Sequence, residues 1–441
     1  MSPPVYSQRF TLLATTLLTL VLGVSIISCS HAAPVRSRPD APSSSPTRSI
    51  EGPPSSTAPS ARPIAPKPVN PQLIAANTRF GFNLLAAVRQ SDRSRNVFIS
   101  PSSVAISLSM LYNGAAGETQ KAMSEALQLQ DLSLDAVNAA NETLKTRLES
   151  DNAKVKLTIA NSLWAKQGIS FNNEFLSRNQ KFYQAKVSSL NFADPKSPQV
   201  INNWVKRNTN GRIEKIVDRL NPEDVLYLIN AIYFKGNWEK PFDKQQTREQ
   251  PFQLANGQPK KHPMMQQFGK YPYYETNDFQ AISLPYSDRH LSLYVFLPKQ
   301  GKMLDTWAES LTAENWERWR QQFSKRDGEI VLPRFKLEYS TELKDALTAL
   351  GMKPAFIPGV ADFSNLSDRS TFIGQVKHKT FVEVNEEGTE AAGVTSIGIG
   401  TTSIPKNPPF QIVVDRPFFC MLYDQQTETI LFMGTIVDPS Q

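Results

Sequence analysis

Cysteine is almost absent from this chain: 441 residues contain two, Cys29 and Cys420. That excludes a disulfide scaffold and any cysteine-based zinc site of the usual four-ligand kind. Histidine is nearly as scarce. His31, His262, His290 and His378 are scattered, and none sits beside a nucleophile or base signature. There is no G-x-S-x-G elbow, H-E-x-x-H helix, Walker loop or G-x-G-x-x-G turn, so neither an enzyme, nor a metal site, nor a cofactor is expected. Long blocks of one charge are missing too. The 48 basic and 41 acidic residues are interspersed, and a net charge of +7 spread in this way gives no footprint for nucleic acid. What is present is a globular composition, 40% hydrophobic and 10% aromatic, sufficient for a large core.

The N-terminal segment has one basic residue, Arg9, followed by an uncharged apolar run from Thr11 to Ser28, the layout of a secretory signal peptide over residues 1–28. Export to the cell envelope, periplasm or exterior is expected. Ile26, Ile27 and Ser28 before Cys29 resemble a bacterial lipobox, which makes Cys29 a candidate for lipidation and for membrane attachment. Two alternatives stay open: ordinary cleavage after the A-x-A-like stretch ending at Ala33, or an uncleaved anchor. Residues 29–70 then form a linker rich in proline and serine, with too few large apolar residues for a core. In extended polyproline geometry its ~38 residues from Pro34 to Pro71 reach up to ~120 Å at ~3.1 Å per residue.

Helical periodicity begins at residue 71, where a folded domain over 71–441 is expected. Asn70 suits a cap and Pro71 the first helical position, and Leu73, Ile74, Phe80, Leu84, Leu85 and Val88 recur at three- and four-residue spacing. Ser100 and Pro101 predict a second helix of the same design, with Val104, Leu108 and Leu111 on one face. The runs 225–234, 291–297 and 412–414 are apolar at neighbouring positions, as strands buried on both faces are. Helices lead and strands follow without βαβ alternation, so the fold class is α+β. Cys420, inside an apolar run, is expected to be an inert buried thiol.

Several blocks then resemble one known family: Asn96 to Ser103, Asn113-Gly114-Ala115, Asn203-Trp204-Val205, Thr209 to Ile213, Asn230 to Trp238, Arg416-Pro417-Phe418 and Leu431 to Gly434. They are similar to those of the serpins, in family order, from about residue 71 to Pro439. The resemblance implies a serpin fold with three β-sheets, eight or nine helices and an exposed reactive-centre loop. It further implies a monomer that inhibits serine proteases by covalent suicide cleavage and polymerises on heating. The rival is a non-inhibitory serpin acting as a binding or structural module of the cell envelope.

The loop carries no charge between Glu390 and Lys406. A surface loop gains nothing from that, whereas a segment that must become a central strand has to avoid burying charge. Alternation puts Thr389, Ala391, Gly393, Thr395, Ile397 and Ile399 on one face, and Glu390, Ala392, Val394, Ser396 and Gly398 on the other. Glu386, Glu387, Gly388, Thr389, Glu390, Ala391 and Ala392 match the hinge of inhibitory serpins, with Gly393 and Val394 completing it; Val394 replaces a usual alanine. Counting seventeen family positions from Glu386 sets the scissile bond at Thr402-Ser403. A small neutral residue there points to elastase-like or subtilisin-like proteases. Ser100, Ser103, Asn230 and His378 match the family's shutter, where its central sheet parts. Arg334, Trp238 and Glu386 match the breach at the top of that sheet. Lys145, Arg147, Lys154 and Lys156 stand where some serpins bind polyanions, but interleaved acids make an ordinary solvated face the expectation.

Overall fold

Asn70 and Pro71 start the first helix as predicted: the Asn70 Oδ1 accepts from the Gln72 N–H at 2.8 Å, and proline occupies the first turn. The computed structural model of the protein describes residues 67–149, 155–389 and 408–441. The apolar run 11–28, Cys29 and most of the linker lie outside the described residues. Among those that are described, no helix is long and apolar enough to cross a membrane.

In chain order the elements are α1 (Pro71–Ser91), β1 (Val97–Ile99), α2 (Pro101–Tyr112), α3 (Gly117–Ala126), α4 (Leu134–Leu148), β2 (Val155–Lys166), α5 (Asn173–Arg178), β3 (Lys186–Leu190), α6 (Ser197–Asn208) and β4 (Leu226–Asn237). There follow β5 (Arg248–Gln253), β6 (Pro259–Glu275), β7 (Phe279–Pro285), β8 (Leu291–Pro298), α7 (Leu304–Ala308), α8 (Ala313–Arg320), β9 (Ser324–Pro333), β10 (Phe335–Glu342) and α9 (Lys344–Leu347). The chain closes with β11 (Ile373–Asn385), β12 (Gly388–Thr389), β13 (Phe410–Val413), β14 (Phe418–Asp424) and β15 (Thr429–Ile436). The class is α+β, with nine α-helices among the described residues. Their strands form two hydrogen-bonded sheets where the resemblance implies three. The reason is β6: its 17 residues pair with β5, β7 and β9, tying what would be two separate sheets into one of nine strands.

The six-stranded sheet runs β10-β11-β12-β4-β2-β3. Its centre explains why residues 225–234 read as apolar on both faces, Asn230 excepted. Leu226, Leu228, Ile232 and Phe234 of β4 face the main core beneath α2, while Tyr227, Ile229, Ala231 and Tyr233 face a second cluster built with Ile201 and Val205 of α6. Alternate residues of a strand point to opposite faces, so only a sheet covered on both sides buries the whole run. Cys420 lies in β14, fully buried and unpaired, and burial pushes its thiol well above the ordinary value. Ser100 holds the cap position of α2 but does not cap it: its hydroxyl makes no hydrogen bond among the described residues.

Candidate functional site

The centre of the six-stranded sheet holds a seam. β11 and β4 run parallel and pair directly from Ile373 and Leu226 up to Phe381 and Tyr233. Beyond that point they separate, and the two residues of β12 stand between them, antiparallel to both. Gly388 pairs with Asn237 and Asn385, and Thr389 with Gly236 and Val384. Only glycine fits the first position: its φ is +149°, and a Cβ there would lie 2.1 Å from the Gly236 carbonyl oxygen. Thr389 is buried on the core side, its hydroxyl 2.7 Å from that of Tyr286.

Charged and aromatic groups fix the turn leading into β12. The Arg334 guanidinium, following β9, meets the Glu386 carboxylate with Nε at 2.7 and 2.8 Å from its two oxygens, and Nη2 also donates. The Thr247 hydroxyl donates to the same carboxylate. Burial pushes the Glu386 carboxyl up, but these hydrogen bonds more than offset it and hold the group below its usual range. The main-chain carbonyl of Glu386 accepts from Phe242 N–H at 2.7 Å and that of Glu387 from Trp238 N–H at 3.0 Å, while the Glu387 carboxylate pairs with Lys244. Trp238 donates its indole N–H to the Asn385 carbonyl at 2.9 Å and stacks on Tyr286 with centroids 4.5 Å apart. The structure therefore brings Arg334, Trp238 and Glu386 to one place. Thr247, Lys244 and Tyr286 belong with them, though no local sequence signal marks them.

Lower in the same seam a buried polar cluster bridges α2, β2, β4 and β11. The Ser100 N–H donates to His378 Nε2 at 3.0 Å, which leaves the proton on Nδ1, 2.5 Å from Asn230 Oδ1. The Asn230 amide nitrogen faces the Ser103 hydroxyl, the Ser103 carbonyl at 3.2 Å, Ser107 Oγ at 3.1 Å and Asn161 Oδ1 at 2.5 Å. His378 is fully buried, and desolvation lowers its pKa to about 3, so the ring is neutral. Ser103, Asn230 and His378 thus meet through side chains, but Ser100 takes part through its backbone. Asn161 and Ser107 complete the cluster.

Glu390, Ala391, Ala392, Gly393, Val394, Thr402 and Ser403 lie outside the described residues, as does Lys154. Lys145 corrects the expectation of a solvated basic face. Its side chain is only 11% exposed, paired with Glu149 and 3.2 Å from Gln184 Oε1, because α4 turns it toward the segment after α5. No group of three or more histidine, cysteine or acidic residues among the described residues could hold a metal.

Comparison with known proteins gives a consistent picture. A family model described as serpin (serine protease inhibitor) matches residues 75–439. A serpin-like protein from Thermococcus kodakarensis is 36% identical over 373 residues, covering 83% of this chain and 86% of the relative. Leukocyte elastase inhibitor from Equus caballus is 34% identical over 381 residues, covering 83% of this chain and all of that protein. Among solved structures, the thermophilic serpin tengpin in its native state matches with a TM-score of 0.79 at 34% identity, over 86% of this chain and 97% of that one. Human thyroxine-binding globulin in complex with its hormone matches with a TM-score of 0.78 at 26% identity, over 84% and 99%.

Proposed function

The chain belongs to the serpin (serine protease inhibitor) family, and from that premise we propose that it inhibits serine proteases by being cleaved at Thr402-Ser403 and drawing the cut loop into the seam between β4 and β11. The observation that carries this reading is the position of β12. Two residues already occupy the strand that the loop would extend, and their register extrapolates without a gap. Continuing antiparallel to both neighbours, Ala391 would arrive opposite Phe234 and Val382, Thr395 opposite Asn230 and His378, and Ile397 opposite Leu228 and Val376. Thr389 points to the core, so the odd-numbered residues through Ile399 follow it there. Glu390 falls on the other face, level with Lys235.

The chemistry begins as ordinary proteolysis. The protease serine attacks the Thr402 carbonyl carbon, the bond to Ser403 breaks, and the amine leaves with a proton supplied by the protease histidine. Thr402 is then held as an ester on the enzyme. Insertion supplies about a dozen strand hydrogen bonds at ~0.5–1.5 kcal/mol net each, roughly 6–18 kcal/mol before burial of Ile397 and Ile399. Strain of that size distorts the attached enzyme before water can release it. Threonine at the cut suits small or broad specificity pockets, hence elastase-like or subtilisin-like targets.

The test is to mix the purified protein with pancreatic elastase and with subtilisin, run denaturing gels, and sequence any new terminus. A complex that survives denaturation, with a new terminus at Ser403, is expected. Cleavage without a complex for every protease tried would overturn the proposal in favour of a non-inhibitory serpin.

A further inference from the structure

β13 closes one end of the nine-stranded sheet and follows directly on the loop. Its four residues pair with β9 alone and in parallel, the less stable arrangement per residue, so the ladder by itself holds weakly. Side chains add what the ladder lacks. Phe410 lies flat on Tyr273, with ring centroids 4.2 Å apart and planes 7° from parallel, and both rings are buried. At Gly328, opposite Phe410 in the ladder, a Cβ would run into the Phe410 ring. The Arg326 guanidinium stands over the same Tyr273 ring at 5.1 Å and donates to the Pro408 carbonyl at 3.4 Å. Gln280 Nε2 donates both to the Tyr273 hydroxyl at 2.8 Å and to the Gln411 carbonyl at 2.9 Å. Three strands, β6, β7 and β9, thus grip residues 408–411.

Filling the seam as far as Ile399 would carry the chain ten residues, about 33 Å, down from Thr389. The nine residues from Ile399 to Pro408 span at most ~32 Å when fully extended. Pro408 does not stand beside the seam. β9 runs across Arg334 alone into the upper end of β10, where Phe335 pairs with Val384. Phe410 pairs with Gly328, six residues or about 20 Å before Arg334 along that strand. An uncut loop therefore cannot fill the seam while β13 keeps its place, whereas a loop cut at Thr402-Ser403 is free of β13.

Given loop insertion as proposed above, we infer that Phe410, Tyr273, Arg326 and Gln280 form a clamp that keeps the uncut loop out of the seam. They are positioning residues: they act through β13 on the downstream end of the loop. The clamp makes cleavage the event that releases the loop, and the intact chain keeps its loop available to a protease for as long as the clamp holds. The barrier is kinetic, so weakening the clamp speeds self-inactivation even where the intact fold is otherwise sound.

The test holds the whole purified protein, uncut, at one temperature below its unfolding midpoint and follows it by thermal unfolding, by native and denaturing gels, and by cleavage at Thr402-Ser403 with subtilisin. Phe410→Ala should convert about tenfold faster than the parent into an uncut monomer that melts as high as the cleaved protein and resists that cleavage. Arg326→Ala, which removes a half-buried side chain, should convert about threefold faster, and Arg326→Lys, which keeps the charge, by less. A fold that was merely weakened would unfold at a lower temperature without yielding the high-melting form. A cleaved parent that gains no stability would overturn insertion itself, and the clamp with it. A cleaved parent that is stabilised, while both alanine variants convert no faster than the parent, would overturn the clamp alone.

Discussion

His378 is the residue whose chemistry is easiest to isolate. Folded, it titrates at about 3 because burial disfavours the imidazolium; unfolded, it should titrate near 6.5. The unfolded chain therefore binds the extra proton first, so stability is complete above pH 6.5 and falls as the pH drops from 6.5 toward 3. At pH 4.5 the loss from this group is ~2–3 kcal/mol, readable as a lower urea midpoint that His378→Gln should largely remove. Glu386 is shifted in the same direction, although burial opposes the shift there and its hydrogen bonds drive it, and the consequence has the same sign. Its lowered carboxyl contributes stability above its ordinary range and loses it as the pH falls further. Arg334→Ala would leave that buried carboxylate without its main partner. Arg334 itself is 41% exposed on its side chain, so we expect a loss of about 1–3 kcal/mol rather than the larger cost of a fully buried pair, together with faster polymerisation. Polymerisation rates equal to those of the parent protein would refute this.

Between elements, what matters is how β12 sits in the seam. Gly388→Ala places a methyl 2.1 Å from the Gly236 oxygen, so β12 should leave the sheet, exposing the Thr389 amide to hydrogen exchange and raising the number of inhibitor molecules spent per protease. Ala391→Arg tests the register instead. A guanidinium opposite Phe234 and Val382 cannot be buried without a partner, so the loop should be cut normally and trap nothing. A trapped complex in that variant would mean the loop inserts in another register or not at all. Much of this level was legible in the chain itself. The cap at Asn70 and Pro71 and the doubly apolar β4 each follow from local chemistry. What was not legible depends on distant partners. The Ser100 hydroxyl looked like a helix cap until α2 met β11, Lys145 looked solvated until α4 met Gln184, and Thr247, Tyr286 and Asn161 join their clusters from segments with no signal of their own. The joining of two expected sheets into one likewise rests on the length of β6 and its three pairings, which alternation does not reveal.

Across the whole molecule, the proposed mechanism requires a native state that is not the most stable arrangement of its chain. Gly388 and Thr389 stand between β4 and β11, and on the proposal a better-bonded sheet would form once the loop is free to enter. Mild heating should therefore convert monomers to polymers, visible as ladders on native gels. The most direct measurement is thermal unfolding before and after cleavage at Thr402-Ser403 by a protease that is then removed. Insertion worth roughly 6–18 kcal/mol should raise the midpoint by about 10 °C or more. A cleaved protein that unfolds at the same temperature as the intact one would contradict the claim that its loop enters the sheet.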